Sequence, residues 1–309
     1  MFVAVPPIMA HDLSVAQAVL SQAGPAGLPA YRVRVATAEP GVVETVMGPE
    51  LVIRDDLGVV TQADTVFVIG GGGRPDVDER VTKALREAAG AGKRVVGLCT
   101  GAFVLAQAGL LDGRRATTHW HLLDELARTF PQVLVEREAL YVEDGPVLTS
   151  AGAAAVIELC LHLVRSDHGA AAAAAAGSLV VAGPVRPPDQ SQQTAPLSPA
   201  RRDQSLAATR AWAQSHLGTP IALADLAAHA SVSQRTLTRR FRAETGLSPL
   251  RWLLHQRIDT ARQLLETTEL TMDRIAERSG LGSSDSLRQH FVASLGVTPS
   301  AYRARWRSV

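Results

Sequence analysis

The sequence predicts an α/β domain with a parallel sheet over residues 1–182, followed by an all-α domain over residues 205–309. Three observations predict this arrangement. In the first region, strand-like apolar runs alternate with helix-like runs, a pattern typical of parallel strands joined by helices. In the second region, one helix-turn-helix pattern occurs twice. The intervening residues, 183–204, contain five prolines among Gln, Ser and Asp, so they predict an extended linker that buries no core.

The elements of the first domain are predicted from uninterrupted apolar runs and from amphipathic spacing. The strands are predicted at Phe2–Ile8, Tyr31–Thr37, Thr65–Ile69 and Arg94–Leu98. The helices are predicted at Leu13–Gln22, Asp76–Ala91 and Ala102–Ala108. A length of about 180 residues is ordinary for one such domain.

The residue with the clearest chemistry in this domain is Cys99. The predicted strand ending at Leu98 runs directly into it, and a helix begins at Ala102. Small residues flank the cysteine because a sharp strand-to-helix turn has no room for larger ones. The pattern is a nucleophile elbow with Cys in place of Ser. A thiol at the start of a helix faces free N–H groups and the helix dipole, so the sequence predicts a stabilised thiolate.

Four glycines, Gly70–Gly73, follow the strand Thr65–Ile69. Their backbone N–H groups are expected to reach the crevice at the same strand ends, where they would bind an oxyanion or a carboxylate ligand. A phosphate-binding loop is disfavoured, because no Gly-Lys-Ser/Thr follows the glycines.

Cysteine usage and hydropathy exclude several classes of protein. The two cysteines, Cys99 and Cys160, cannot form a disulfide framework and fit a reducing cytoplasm. Cys160 lies in an apolar run and is predicted to be buried. No paired Cys/His spacing predicts a metal site, and no cofactor is predicted. The N-terminus lacks the basic lead of a secretory signal, and no run of about 18 uncharged apolar residues predicts a membrane span. We therefore expect a cytoplasmic protein.

The second domain contains its helix-turn-helix pattern at Ile221–Phe241 and again at Met272–Phe291. In each copy, the second helix has Leu and Phe four residues apart, as one buried face requires. Between the copies, apolar residues recur at three- and four-residue steps over Leu250–Glu266, which predicts one long amphipathic helix. Ser248 and Pro249 fit the N-cap and the first helical position of that helix.

Charge is segregated between the two halves of the chain, although the net charge of the whole is only +1. Residues 201–309 contain sixteen arginines and no lysine against nine acidic residues, a net charge of +7. Residues 1–200 contain fifteen basic and twenty-one acidic residues, a net charge of −6. A basic domain is what a nucleic-acid binder requires, and the planar fork of arginine suits phosphate and guanine.

Residues 206–307, with Trp252 and the closing Gly296–Arg303, resemble the DNA-binding module of the AraC/XylS class of bacterial transcription regulators. The resemblance implies that the second helix of each copy lies in a major groove of double-stranded DNA. Leu237 and Phe241 should face the core, so the base-reading role falls on the opposite helix face. The residues given that role are Gln234, Arg235, Thr238 and Arg239 in the first copy and Ser284, Asp285, Arg288 and Gln289 in the second. Asp285 departs from a phosphate-binding surface, because DNA repels a carboxylate unless it accepts from a cytosine amino group.

Residues 1–182 resemble the ThiJ/PfpI, class I glutamine-amidotransferase-like domain that precedes the AraC module in one branch of these regulators. The segments that carry this resemblance are Cys99–Ala106, Gly109–Gly113, Ala116–Trp120, Thr149–Gly152 and the helix Glu158–Arg165. The resemblance implies a flavodoxin-like sandwich. It places Asp12 and His119 where catalytic members hold an acid and a histidine. The ligand pocket is accordingly expected at Asp12, Gly71, Gly72, Cys99, Thr100 and His119.

The favoured interpretation is a DNA-binding transcription regulator whose α/β domain binds a small-molecule effector in a degenerate enzyme pocket. The resemblance, together with the frequency of two-fold oligomers, further predicts a homodimer, with RNA polymerase as an additional partner. One alternative is a cysteine-dependent amidase or hydratase-type enzyme tethered to DNA, with Cys99, His119 and Asp12 as its catalytic residues. A second alternative is a thiol redox sensor that acts through Cys99.

Two candidate catalytic residues also have structural interpretations. His119, or the neighbouring His121, would cap the following helix instead of acting as a base. Asp12 would be the N-cap of a helix that begins at Leu13. Regulators of this branch typically keep the elbow cysteine without a complete hydrolytic triad, which favours ligand binding over catalysis.

Overall fold

A computed structural model describes residues 1–22, 31–47, 49–70, 76–180, 192 and 206–307. The chain divides into two compact units. The first comprises Met1–Val164 and Ala175–Gln193, and the second comprises Arg165–Ala174 and Thr194–Val309. The domain limits at residues 182 and 205 stay a prediction. The compact units place residues 165–174 with the C-terminal helices, whereas the prediction places them in the first domain. The predicted linker lies outside the described residues, except for Gln192.

The first unit is built from short strands and from helices that separate most of the strands of the main sheet. Its strands are β1 (Phe2–Val5), β2 (Ile8–Met9), β3 (Val35–Thr37), β4 (Gly41–Val43), β5 (Thr45–Met47), β6 (Leu51–Ile53), β7 (Thr65–Gly70), β8 (Arg94–Leu98), β9 (Arg115–Ala116), β10 (Leu134–Val135), β11 (Tyr141–Asp144) and β12 (Val147–Ser150). Its helices are α1 (Ala10–Gln22), α2 (Glu79–Gly90), α3 (Gly101–Gln107), α4 (Leu123–Thr129) and α5 (Ala155–Leu179), of which residues 165–174 belong to the second unit.

Six of these strands form the main sheet, in the order β11-β12-β8-β7-β1-β3. All neighbours in it are parallel except β11, which pairs antiparallel with β12 at the edge. The central strands are almost fully buried, as strands covered on both faces must be. The predicted α/β domain with a parallel sheet is confirmed, and the carboxyl ends of β1, β7 and β8 lie side by side.

The predicted strands agree best with the structure where the apolar run is short and continuous. The strand Arg94–Leu98 is β8 to the residue, whereas Phe2–Ile8 is divided into β1 and β2 at two prolines. The predicted Tyr31–Thr37 contracts to β3, which begins at Val35. The predicted helix at Asp76 begins at Glu79, because the Asp78 side chain accepts a hydrogen bond from the N–H of Arg80 and caps the helix there.

The second unit contains the predicted helix pairs and the helix between them. Its remaining helices are α6 (Ala207–Ser215), α7 (Leu223–His229), α8 (Gln234–Thr245), α9 (Pro249–Thr267), α10 (Met272–Arg278), α11 (Ser284–Leu295) and α12 (Pro299–Arg307). Helix α9 begins at Pro249, as predicted, and Ser248 is its N-cap by position, although its side chain makes no capping hydrogen bond. The all-α domain with two helix-turn-helix motifs is therefore confirmed.

Helix α9 contributes to two separate hydrophobic cores. Near its start, Trp252 and Leu253 pack with α7 and α8 in one core. Near its end, Ile258 and Leu265 pack with α10, α11 and α12 in a second core. Each helix-turn-helix therefore has a core of its own, and a single 19-residue helix joins the two.

Gly169 interrupts α5, with a φ of 90° that only glycine adopts readily. Just after it, within the second unit, the N–H groups of Ala170 and Ala171 donate to the two carboxylate oxygens of Glu266 in α9, each at 2.7 Å. A Cβ at position 169 would lie 2.9 Å from the Glu266 carboxyl carbon. Glu266 therefore satisfies the N–H groups that the first turn of a helix leaves unpaired.

The described helices include none that is long and apolar enough to cross a lipid bilayer.

Candidate functional site

The elbow at Cys99 has the predicted geometry. Cys99 follows β8 with a φ of 53°, a left-handed conformation that a non-glycine residue seldom adopts. Its N–H donates to the Ser150 carbonyl in β12 at 2.9 Å, which holds the strained residue in register with the sheet. Such strain is commonly kept where a side chain must be presented at a site.

The residues around the elbow are small because neighbouring backbone segments lie in contact there and leave no room for a Cβ. A Cβ at Gly101 would lie 2.4 Å from the Val68 carbonyl oxygen. A Cβ at Gly152, whose φ is 79°, would lie 2.4 Å from the Cβ of Cys99. The explanation of the flanking glycines as a packing requirement is therefore confirmed for Gly101. Gly152 approaches the cysteine from a different loop, which the sequence does not reveal.

Asp12 lies in the first turn of α1, so its interpretation as an N-cap before Leu13 is wrong. Its buried carboxylate accepts a hydrogen bond from the N–H of Ala153 at 3.1 Å, between residues 141 positions apart. Ala153 has a φ of 50°, so a second strained residue faces the acid. Burial raises the pKa of Asp12, and the hydrogen bonds from Ala153 and His11 offset only part of that effect.

The predicted stabilised thiolate at Cys99 is wrong. Burial, and then the negative charge of Asp12, raise the pKa of the Cys99 thiol to about 12. The backbone N–H of Thr100 favours the thiolate, but this contribution is smaller than the other two. The thiol is therefore neutral at physiological pH.

His119 is not arranged as a general base for Cys99. Burial, and then the neighbouring His121, lower its pKa, whereas Asp12 acts in the opposite direction. Within the described residues, no hydrogen bond joins the His119 ring to the Cys99 thiol. His119 occupies the N-cap position of a short 3-10 turn, Trp120–Leu122, but its side chain makes no capping hydrogen bond, so the capping interpretation is also wrong for His119.

The remaining predicted pocket residues divide into two groups. The Thr100 hydroxyl donates to the Gly70 carbonyl at 2.9 Å and ties the elbow to the end of β7. Gly71 and Gly72 lie outside the described residues. In the part of the chain that the structure describes, no cluster of three or more His, Cys, Asp or Glu side chains could hold a metal ion. Cys160 is completely buried in α5, as predicted.

Sequence reasoning missed the hydrogen bonds that support the elbow from the opposite side. The Thr118 hydroxyl donates to the Cys99 carbonyl at 2.8 Å. The N–H of Thr117 donates to the Thr149 hydroxyl at 2.8 Å, and both Thr117 and Thr118 are fully buried. The signal in the sequence was that these threonines lie in Ala116–Trp120 and Thr149–Gly152, two segments that carry the family resemblance, but it gave no prediction for their hydrogen bonds.

The two predicted reader helices, α8 and α11, have the same local construction. Ser233 and Ser283 are the N-caps, and their hydroxyls accept hydrogen bonds from Thr236 and Ser286, each at 3.2 Å. Gly246 and Gly296 end the helices with φ values of 73° and 71°. The predicted inward residues, Leu237 and Phe241 in α8 and Leu287 and Phe291 in α11, are completely buried.

The residues predicted to read bases lie on the outward sides of these helices. Gln234, Arg235 and Arg239 are exposed and Thr238 is partly exposed; all four line one concave surface with Leu223 and Arg242. In α11, Asp285, Arg288 and Gln289 are exposed and Ser284 is partly exposed. Asp285 lies in the first turn of α11, where a carboxylate interacts favourably with the helix dipole. That interaction is a structural reason for an acidic residue at position 285 that does not depend on DNA.

Comparison with known proteins gives matches to both units. Residues 8–166 match the DJ-1/PfpI family, and residues 226–305 match a helix-turn-helix domain family. The HTH-type transcriptional regulator CdhR of Pseudomonas aeruginosa is 33% identical over 280 residues, which cover 89% of this chain and 82% of CdhR. The HTH-type transcriptional regulator GlxA of Rhizobium meliloti is 29% identical over 286 residues, 91% of this chain and 87% of GlxA. Alignments of this length include both regions, so the domain order is shared.

A solved structure supports the fold as well. The crystal structure of an AraC family transcriptional regulator from Pseudomonas putida superposes with a TM-score of 0.53 at 24% identity. The superposition covers 58% of this chain and 97% of that chain. At this level of identity, the similarity establishes the fold alone.

The Asp12→Asn substitution is expected to lower the pKa of the Cys99 thiol from its value of about 12, because it removes a negative charge that opposes thiolate formation. The rate of alkylation by iodoacetamide, measured against pH, should then rise at lower pH than in the unsubstituted protein. Asp112→Asn, at an exposed position, is the matched control and should leave the profile unchanged. The Cys99→Ala variant lacks this thiol, so the alkylation that it loses is the alkylation of Cys99. An unchanged profile in Asp12→Asn would contradict the electrostatic role assigned to Asp12.

Proposed function

The chain belongs to the DJ-1/PfpI family and to the HTH-type transcriptional regulators, and we propose that a small molecule bound at its Cys99 elbow controls its binding to specific DNA sequences. It is a DNA-binding transcriptional regulator. The observation that carries the DNA-binding part of this proposal is the matched pair of capped helices, α8 and α11, each with a buried Leu–Phe edge and an exposed polar face.

Charge and spacing support the assignment of α8 and α11 to DNA. The region from residue 201 onwards has a net charge of +7, which favours a polyanion. Helix α9, with 19 residues, is about 28 Å long at 1.5 Å per residue, close to the ~34 Å that separates successive major grooves on one face of DNA. A rigid helix of this length would present α8 and α11 to neighbouring grooves.

The elbow supports ligand binding better than it supports catalysis. A nucleophilic thiol needs a base or a lowered pKa, whereas burial and Asp12 raise the pKa of Cys99 to about 12. The same neutral thiol is a poor target for peroxide, because oxidation begins from the thiolate. We therefore assign to Asp12, Cys99, Thr100 and His119 the role of lining a binding site. We propose that Gly71 and Gly72 line the same site.

Control of transcription requires that the ligand have different affinities for two states of the protein. We propose that the regulator is a cytoplasmic homodimer, since a two-fold pair of DNA-binding units would recognise a repeated operator and bind it more tightly than one unit. An activator of this kind would also contact RNA polymerase. In vitro transcription from the target promoter, with and without the regulator, measures the effect of that contact.

Replacing Arg239 or Arg288 by alanine is expected to weaken binding to the target promoter about fivefold or more, since a bidentate arginine–guanine contact is worth about 1–3 kcal/mol. Electrophoretic mobility shift with the full chain and DNA from upstream of its own and adjacent genes measures the effect. Arg86→Ala, at an exposed position of α2, is the matched control and should bind normally.

The salt dependence of the same assay gives a second criterion, because arginines that contact phosphates release counterions from the DNA. Affinity should fall steeply as salt is raised. A folded full-length protein that shifts none of these duplexes at low ionic strength, or whose affinity is insensitive to salt, would contradict the DNA-binding assignment.

The Cys99→Ala variant distinguishes a regulator that binds a ligand from a cysteine-dependent enzyme. We expect it to retain promoter regulation in a reporter assay, and neither it nor the unsubstituted protein to turn over candidate amides, because the thiol has no hydrogen-bonded base among the described residues. Amide hydrolysis by the unsubstituted protein that is lost in Cys99→Ala would instead establish a cysteine-dependent enzyme.

Light scattering of the full chain at micromolar concentration is expected to give the mass of a dimer, about twice the 32.7 kDa of one chain. A mass of one chain throughout the micromolar range, with and without operator DNA, would refute the dimer.

A further inference from the structure

Gln192, the one described residue of the predicted linker, belongs to the first compact unit and inserts its side chain among three oxygen atoms. Its Nε2 lies 3.0 Å from the Thr117 hydroxyl, 3.0 Å from the Thr118 carbonyl oxygen and 2.8 Å from the Ala139 carbonyl oxygen. We call this arrangement of three oxygens the amine slot. All three atoms are placed to accept hydrogen bonds from one nitrogen.

The amide of Gln192 fits the amine slot poorly. A primary amide nitrogen has two hydrogens, so it cannot donate to three acceptors at once. The other end of the amide, Oε1, is buried and accepts no hydrogen bond from any residue that the structure describes. A buried acceptor without a donor is costly, because it has lost its hydrogen bonds to water. The slot therefore satisfies the nitrogen end of its occupant and leaves the oxygen end unsatisfied.

An ammonium group matches the slot better than an amide. It has three donors and no acceptor, so it would satisfy all three oxygens and leave no unpaired atom. Hydrogen bonds from a charged donor are also stronger than those from a neutral amide. A quaternary ammonium has no N–H to donate, and a hydroxyl has only one. The geometry therefore distinguishes a protonated primary amine from both.

The amine slot is attached to the Cys99 elbow. Thr118 forms one wall through its carbonyl, and its hydroxyl donates to the Cys99 carbonyl at 2.8 Å. Thr117 forms another wall, and its N–H donates to Thr149 in β12, which pairs with β8. The two threonines that form the slot are therefore hydrogen-bonded to the Cys99 turn and to the strand beside it.

We propose that the amine slot is a subsite for the primary ammonium group of a small-molecule ligand, and that Gln192 occupies it when the ligand is absent. This inference rests on the proposed function, in which the elbow unit binds an effector. The ligand amine and Gln192 exclude each other from the slot. Ligand binding therefore releases a linker residue, and this gives the regulator two states that the ligand distinguishes.

The test uses the full chain with butylammonium as the probe, followed by saturation-transfer NMR titration. Gln192→Ala removes the internal occupant, and Gln192→Glu places a carboxylate against the Thr118 and Ala139 carbonyl oxygens, which repel it. Both variants are expected to bind butylammonium about fivefold more tightly or better than the unsubstituted protein, because the site is no longer occupied by its own side chain. Gln17→Ala, at an exposed glutamine of α1, is the matched control and should bind like the unsubstituted protein.

Two chemical controls test the recognition itself. Butyltrimethylammonium and 1-butanol have the same chain without three N–H donors, and neither should bind saturably to Gln192→Ala. In that background, Thr117→Val should weaken butylammonium binding severalfold, whereas Thr117→Ser keeps the hydroxyl and should not. Circular dichroism verifies that the valine variant is folded, and the Gln192 variants test the proposal independently of it.

The proposal is overturned if butylammonium binds neither Gln192 variant, if it binds them no more tightly than it binds the unsubstituted protein, or if the trimethyl analogue binds equally well. The mobility-shift assay on the unsubstituted protein distinguishes this failure from failure of the proposed function. DNA binding without amine binding would refute the subsite alone, whereas absence of DNA binding would refute the regulator regardless of the slot.

Discussion

The continuity of α9 is the constraint on which the DNA-binding half depends. One helix fills two cores: Trp252 packs edge-to-face on Phe241 in the first, with ring centroids 5.4 Å apart, and Leu265 is fully buried in the second. A helix does not bend easily between its ends, because each backbone hydrogen bond spans a turn. The relative placement of the two helix-turn-helix units along α9 is therefore determined by the number of residues in α9, and not by the loops around them.

The elbow keeps the backbone of a nucleophile site around a thiol that its surroundings do not activate. The turn at Cys99 keeps the strained φ of 53° and the close glycines of a nucleophile site. What differs is the surroundings: the thiol is partly buried and Asp12 supplies a negative charge, so the neutral form is favoured. A neutral thiol beside a buried carboxyl group offers donors and polarizable surface to a ligand while remaining unreactive. The same residue types therefore predict the turn correctly and the ionisation of its thiol incorrectly.

Prediction from sequence succeeded where the determining contacts are local and failed where they are distant. Strand β8, helix α9 and the buried pair Leu237 and Phe241 follow from spacing along a single element. Strands β4, β5, β6, β9, β10, β11 and β12 were missed because each has only two to four residues, too few for a period to be recognised. The Asp12–Ala153 hydrogen bond joins residues 141 positions apart, and no periodicity links them. The thiol pKa depends on that same long-range packing, so helix-start reasoning alone gave it the wrong direction.

The carboxylate of Glu266 has a consequence for how such proteins can be recombined. Besides the N–H groups of Ala170 and Ala171, it accepts from the Tyr302 hydroxyl at 2.5 Å. A chimera spliced within 183–204 would inherit α9 and α12 but lose the peptide segment that the carboxylate binds, unless its new sensor supplied an equivalent one. Exchange of sensors between relatives should therefore be tolerated most readily when the crossover lies upstream of Arg165, so that the segment travels with its acceptor.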